Sequence, residues 1–146
     1  MTTITVCTTC RQPALQEDKE RDPCGEALLA EVQAAAEGVP GVSVRGVACL
    51  MGCEHGCNIA ISGARKLTYV LGGFEPTAEA AAGIAEYAGK HAVSATGTVP
   101  FREWPQAVKG HFTARVPPLD GLPELTPTNP LQEPERGSDE WKRWNR

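Results

Sequence analysis

The sequence predicts an α/β domain with a mixed sheet, its elements running βα, β, ββα, followed by an extended Pro-rich C-terminal tail. Three observations carry this reading. Short β-branched stretches flank an Ala- and Leu-rich stretch of helical spacing, the βαβ order of a parallel strand pair. Two further apolar stretches, separated by a turn at Gly63-Ala64, have the pattern of an antiparallel hairpin, and a second helical stretch follows them. Six prolines between Pro117 and Pro134 then prevent any ladder or helix from propagating. The 146 residues and 41% apolar content suit a single core, so residues 1–118 are assigned to the domain and 119–146 to the tail.

The first strand is Ile4-Thr5-Val6, which alternates apolar and polar side chains and ends at Cys7. Residues 11–23 are crowded with charge between Pro13 and Pro23 and are expected to form a solvated loop. From Gly25 to Glu37, Leu28, Leu29, Val32, Ala35 and Ala36 share one helical face, and Gly38 is a natural stop. Val42, Val44 and Gly46 alternate with Ser43, Arg45 and Val47 in a second strand that delivers Cys49. Asn58–Ser62 and Leu67–Leu71 form the hairpin. Thr77 is the N-cap of a helix over Ala78–Ala88, with Ala80, Ala81, Ile84, Tyr87 and Ala88 facing inward. Phe101, Trp104, Val108, Phe112 and Val116 are expected to cover an edge of the core, with one helical turn near Pro105. Trp141 and Trp144 suggest that the end of the tail docks.

Fourteen Lys and Arg against eighteen Asp and Glu leave a net charge of −4. Such a chain lacks the basic field that attracts nucleic acid or anionic lipid, so neither is expected as a partner. The opening residues lack a basic segment followed by an apolar stretch, and a cytoplasmic location is expected. In a reducing compartment six cysteines point to metal or redox chemistry rather than to three structural disulfides. All six, Cys7, Cys10, Cys24, Cys49, Cys53 and Cys57, fall within the first 57 residues, which implies one local site.

A 2Fe-2S cluster needs four thiolates, and loops at one end of a sheet can supply them. Cys7 and Cys49 end two strands expected to be parallel, Cys24 opens the helix between them, and Cys53 follows Cys49 with three residues between. Gly25, Gly52 and Gly56 permit close backbone approach, and their N–H groups can donate to sulfur while the helix N-terminus offsets negative charge.

In these residues the chain resembles the thioredoxin-like 2Fe-2S ferredoxins, which end the first strand at a Cys, place another before the first helix and finish with Cys-x3-Cys. The resemblance covers about residues 4–91, including Cys49-Leu50-Met51-Gly52-Cys53-Glu54-His55-Gly56 and the aromatic Tyr69. It implies a thioredoxin-like fold, Cys7, Cys24, Cys49 and Cys53 as cluster ligands, and a reductase or oxidoreductase as redox partner. The chain departs from that pattern in a shorter stretch between Cys24 and Cys49, and in Cys57, which stands where those ferredoxins have Pro. Over residues 4–118 the chain also resembles a bacterial family of small metal-binding proteins, domain of unknown function 1636. That likeness lies in Val6-Cys7-Thr8-Thr9-Cys10, Cys49-x3-Cys53-x3-Cys57, Lys66-Leu67-Thr68-Tyr69 and Ala114-Arg115-Val116-Pro117-Pro118. It brings no established activity.

Zinc is the main alternative, because four thiolates satisfy it and Cys7-x2-Cys10 is an ordinary zinc spacing. Cys10 and Cys57 are further metal candidates, as replacement ligands or for a second ion. A thioredoxin-type dithiol at Cys7-Thr8-Thr9-Cys10 is disfavoured, since a polar loop, not a helix, follows it. A Rieske-type role for His55 is disfavoured because its neighbours already offer enough sulfur, and it is expected as a solvated loop histidine, whereas His91 and His111 have no partner at metal spacing. Tyr69, Phe74, Trp104 and Phe112 are expected to fill the core or cover an edge rather than relay electrons. The acidic stretch Glu17–Asp22 is a solvated loop able to steer a basic reductase. No Ser-His-Asp order, phosphate loop or paired carboxylates support turnover, so the expectation is an electron carrier rather than an enzyme. A zinc-binding or metal-delivery module, an adaptor subunit whose tail binds a larger enzyme, and a homodimer remain open.

Overall fold

The computed structural model describes residues 1–9, 24–51 and 56–119, and the isolated positions Asp139 and Lys142. Cys10, the 11–23 loop, Cys53, His55, Trp141, Trp144 and almost all of the tail lie outside the described residues.

The chain runs β1 (Thr2–Cys7), α1 (Cys24–Ala36), β2 (Val42–Val47), β3 (Ile59–Ser62), β4 (Thr68–Leu71), α2 (Ala78–Val93), two 3-10 turns (Phe101–Glu103 and Gln106–Val108) and β5 (Phe112–Val116). The strands make one mixed sheet in the order β2-β1-β3-β4-β5. β1 and β2 are parallel, with Cys7 opposite Val47. The connection between them is the α1 crossover that a parallel pair requires. β3 runs antiparallel to β1, with Ile4 opposite Ile61 and Val6 opposite Ile59, and the hairpin places Ile61 beside Tyr69. The expected α/β class, mixed sheet and βα, β, ββα order are therefore present.

Period-two alternation in these registers gathers Ile4, Val6, Ile59, Ile61, Tyr69 and Leu71 on one face, all buried. Leu28, Val32 and Ala36 of α1 pack there, with Leu29 and Ala35 only partly buried, so the buried stripe is narrower than the five residues expected. From α2, Ala80, Ala81, Ile84, Tyr87 and Ala88 are buried, as expected. The other face is rich in hydroxyls: Thr3 pairs with Ser43 at 3.1 Å, and Arg45 Nε donates to Thr5 Oγ1 at 2.9 Å.

Two elements differ from the sequence reading. α2 starts where expected, with Ala80 N donating to Thr77 Oγ1 at 3.1 Å, but it continues to Val93. Its last turn has a partner brought by the hairpin: Lys66 Nζ donates to the carbonyls of His91 (3.0 Å) and Ala92 (2.6 Å), placing a cation where the helix dipole is negative. The second difference is β5. Residues 112–116 do more than cover an edge; they pair with β4, Tyr69 opposite Arg115, with an irregularity between Val70 and Leu71. β5 is exposed at Thr113, Ala114 and Val116, so neither face is wholly buried and its sequence carries little period-two signal. Tyr69, Trp104 and Phe112 gather beneath this edge together with Tyr87, and Trp104 and Phe112 are only partly buried. Tyr69, Tyr87 and Phe112 meet edge to face at 5.3–5.7 Å between ring centres, and Trp104 lies 4.4 Å from Phe112.

Candidate metal centre

The sulfur chemistry lies at the end of the sheet where the parallel pair β1 and β2 finishes and α1 begins. Cys7 is the last residue of β1 and 1% exposed. Its N–H donates to Asn58 O at 3.0 Å, which seats the residue after Cys57 against it. Its sulfur lies 3.9 Å from Ala48 O and 3.8 Å from Thr9 Oγ1. Beyond the strand, Thr8 holds Val47 O through its N–H (2.8 Å) and its hydroxyl (3.0 Å), and Thr9 Oγ1 donates to Ala48 O. These threonines tie the Cys7 turn to the segment that leads into Cys49.

Cys24 is the first residue of α1, half-buried. Gly25 follows it because the helix start rests directly on β1: a Cβ there would overlap the Cys7 carbonyl oxygen. The need for glycine is thus steric closeness of two backbones, one of the roles the sequence suggests. Cys49 is exposed, and its sulfur accepts from Met51 N at 3.2 Å. An N–H aimed at sulfur is the kind of donor that an anionic thiolate site uses. Sequence reasoning assigned such donors to glycines; here Met51 supplies one, in a left-handed conformation (φ 62°) that turns the chain back on Cys49.

Cys57 is wholly buried and also left-handed (φ 39°), just after Gly56 (φ 70°). A hydrogen bond from Gly73 N to Gly56 O (2.8 Å) fastens this turn to the chain leaving β4. Cys57 is joined to Cys24 by a disulfide across 33 residues, with a Cα–Cα distance of 6.4 Å. The sequence reading did not anticipate this pair. Its signal lay in the topology: β3 runs antiparallel to β1, so the residues just before β3 return to the edge where β1 ends and α1 starts.

Of the four residues assigned as ligands, Cys7, Cys24 and Cys49 therefore reach one edge, through bonded neighbours that touch. Cys53 and Cys10 lie outside the described residues. Among the described residues, no three His, Cys, Asp or Glu side chains form a group able to hold a metal ion. The donor set nevertheless suits a thiophilic group by its chemistry, with sulfur ligands, an N–H already turned on one sulfur, and a helix N-terminus beside another. Cys24 can serve as such a ligand only with its disulfide reduced.

The histidines stand apart. His91, fully buried, is held between Thr2 Oγ1 at Nδ1 (2.7 Å) and Leu67 O at Nε2 (2.7 Å). A carbonyl can only accept, so Nε2 carries the proton and Nδ1 accepts from the threonine. Burial foremost, and then the nearby Lys66 charge, lower its pKa, which the Leu67 carbonyl opposes. His111 stacks on Phe74 at 4.2 Å and its Nδ1 bonds Gly72 O at 2.9 Å. Both act in packing.

Fold and site together define a small α/β domain with a cysteine-rich edge at the end of a parallel strand pair. The chain belongs to the family described as protein of unknown function DUF1636, which matches residues 4–118. No curated protein and no solved structure matches it. No helix among the described residues is long and apolar enough to cross a membrane.

Proposed function

We propose that this protein is a ferredoxin-like electron carrier, with Cys7, Cys24, Cys49 and Cys53 holding a 2Fe-2S cluster in a thioredoxin-like domain. The observation that supports the reading is the placement of Cys7, Cys24 and Cys49 at the same end of the sheet, with Cys24 at a helix N-terminus and Met51 N–H on the Cys49 sulfur. The 2-1-3-4 order of the first four strands, with β3 alone running against the other three, supports the thioredoxin-like assignment.

When bound, the cluster would supply one-electron redox chemistry to a partner reductase or oxidoreductase. The chain's own contribution is to hold the site. The Thr8 and Thr9 bonds to Val47 and Ala48 keep the Cys7 and Cys49 segments together, and the buried position of Cys7 limits water around that sulfur. The α1 N-terminus favours negative charge at Cys24. Exposed Cys49 marks the side on which a partner approaches most closely.

The test is the visible spectrum of anaerobically purified protein. A red-brown chromophore that bleaches on reduction, with about two irons and two sulfides per chain, is expected. Colourless protein carrying stoichiometric zinc after growth in ample iron would replace this reading with a zinc-binding or metal-delivery module, since zinc's filled d shell gives no such bands.

A further inference from the structure

Cys24 takes part in two incompatible arrangements, because a sulfur in a disulfide is not a thiolate ligand. We propose that the Cys24–Cys57 pair is a reversible thiol–disulfide lock on the metal site: the disulfide withholds Cys24 from metal, and reduction by a dithiol releases it. The inference rests on the assignment of Cys24 as a ligand made above, but not on the metal being iron.

The two cysteines differ in the way a reversible exchange site requires. Cys57 has no exposed surface, whereas Cys24 is half-buried at the first position of α1. An incoming thiolate therefore attacks the Cys24 sulfur. The Cys24–Cys57 bond breaks, Cys57 leaves as a thiolate and takes up a proton, and a mixed disulfide joins Cys24 to the reductant. The second thiol of the reductant then attacks its own sulfur in that mixed disulfide. Cys24 departs as a thiolate, favoured by the helix N-terminus, and the reductant ends as a disulfide with two electrons transferred to the protein. An oxidised dithiol carries the sequence backward. Cys57 is held for this role by its backbone, since the left-handed turn at Gly56–Cys57 and the Gly73 N to Gly56 O bond return it to the same place after each cycle. Cys57 lies outside the four-ligand set, so forming the lock removes one ligand and uses a cysteine the metal does not need.

The full-length, metal-free chain is equilibrated with oxidised or reduced dithiothreitol. Peptide mapping of the oxidised sample should recover the Cys24 and Cys57 peptides linked, and the link should vanish on reduction. Zinc(II) titrated against a chromogenic chelator should bind the reduced chain at least about tenfold more tightly than the oxidised chain, as expected when one of four thiolates is lost. Cys57→Ser should bind zinc equally well after either treatment. Absence of the linked peptide, equal zinc affinity of the two wild-type states, or redox-dependent affinity persisting in Cys57→Ser would each overturn the lock. The peptide map and zinc comparison on the wild-type chain decide the matter even where Cys57→Ser does not fold. Failure of the iron–sulfur reading is a separate result: reduced, iron-reconstituted protein that stays colourless but still gains zinc only on reduction keeps the lock and removes the cluster.

Discussion

Serine replacement at the six cysteines should separate them into two groups. Cys24→Ser and Cys49→Ser are expected to abolish or reshape the visible spectrum, while Cys10→Ser and Cys57→Ser keep the iron content, as four positions suffice for a 2Fe-2S centre. Iron analysis and absorption of the anaerobic proteins measure the ranking, and loss of iron at all six would indicate a larger or second site. At His91 the expected effect is on stability rather than chemistry. Its pKa is lowered in the fold below the ordinary 6.5, so the folded chain binds fewer protons there than the unfolded chain. The neutral ring's contribution is fully present above that ordinary value and is lost as pH falls below it. Urea midpoints from about pH 8 to pH 5 should therefore fall more steeply for wild type than for His91→Asn, both sharing the carboxylate background. Gly97 guards the same place. Its φ of +84° and a Cβ that would lie 2.6 Å from His91 Nε2 leave room for glycine alone.

At the scale of elements, α2 joins local and distant signals. Thr77→Ala removes the side-chain acceptor for Ala80 N and should cost about 1 kcal/mol, read as a lower denaturation midpoint with unchanged slope. Gly25→Ala acts differently, because the added methyl meets backbone, not a movable side chain. It is expected to push the start of α1 away from β1, costing on the order of 1–3 kcal/mol, and to lower metal content together with stability. An unchanged metal content in a destabilised Gly25→Ala protein would show that the seating of α1 on Cys7 does not govern the site. The N-terminus of α2 was legible because a cap is a contact within three residues. Its C-terminus was not, because the residue that satisfies its last carbonyls, Lys66, comes from 25 positions away.

For the whole molecule, α1, α2 and the five-stranded sheet are complete by Val116. A chain truncated after Leu119 is therefore expected to fold and to bind metal as the full chain does, with matching circular dichroism and iron content. A truncation that unfolded or lost iron would show that the tail packs on the domain, and retained metal with lost partner capture would assign the tail to an adaptor role. A cut before Phe112 should be far more damaging. It removes β5 from β4 and uncovers Tyr69 and Tyr87, whose rings rest on Phe112.

Local order determined most of the architecture. Ile4-Thr5-Val6, the α1 stripe of Leu28 and Val32, the Gly63-Ala64 turn and the Thr77 cap each act over a few residues, so pattern alone revealed four strands and two helices. The crowding of cysteines before residue 58 likewise pointed to one local site, and Cys7, Cys24, Cys49 and Cys57 do lie toward one end of the sheet. Tertiary structure decided what depends on distant partners. β5 owes its conformation to β4, the last turn of α2 to Lys66, and the protonated nitrogen of His91 to Thr2 and Leu67. The pairing of Cys24 with Cys57 belongs with these. Spacing pointed to one local site, but the pairing of Cys24 with Cys57 depends on the antiparallel return of β3 beside β1 and on the left-handed turn at Gly56 and Cys57.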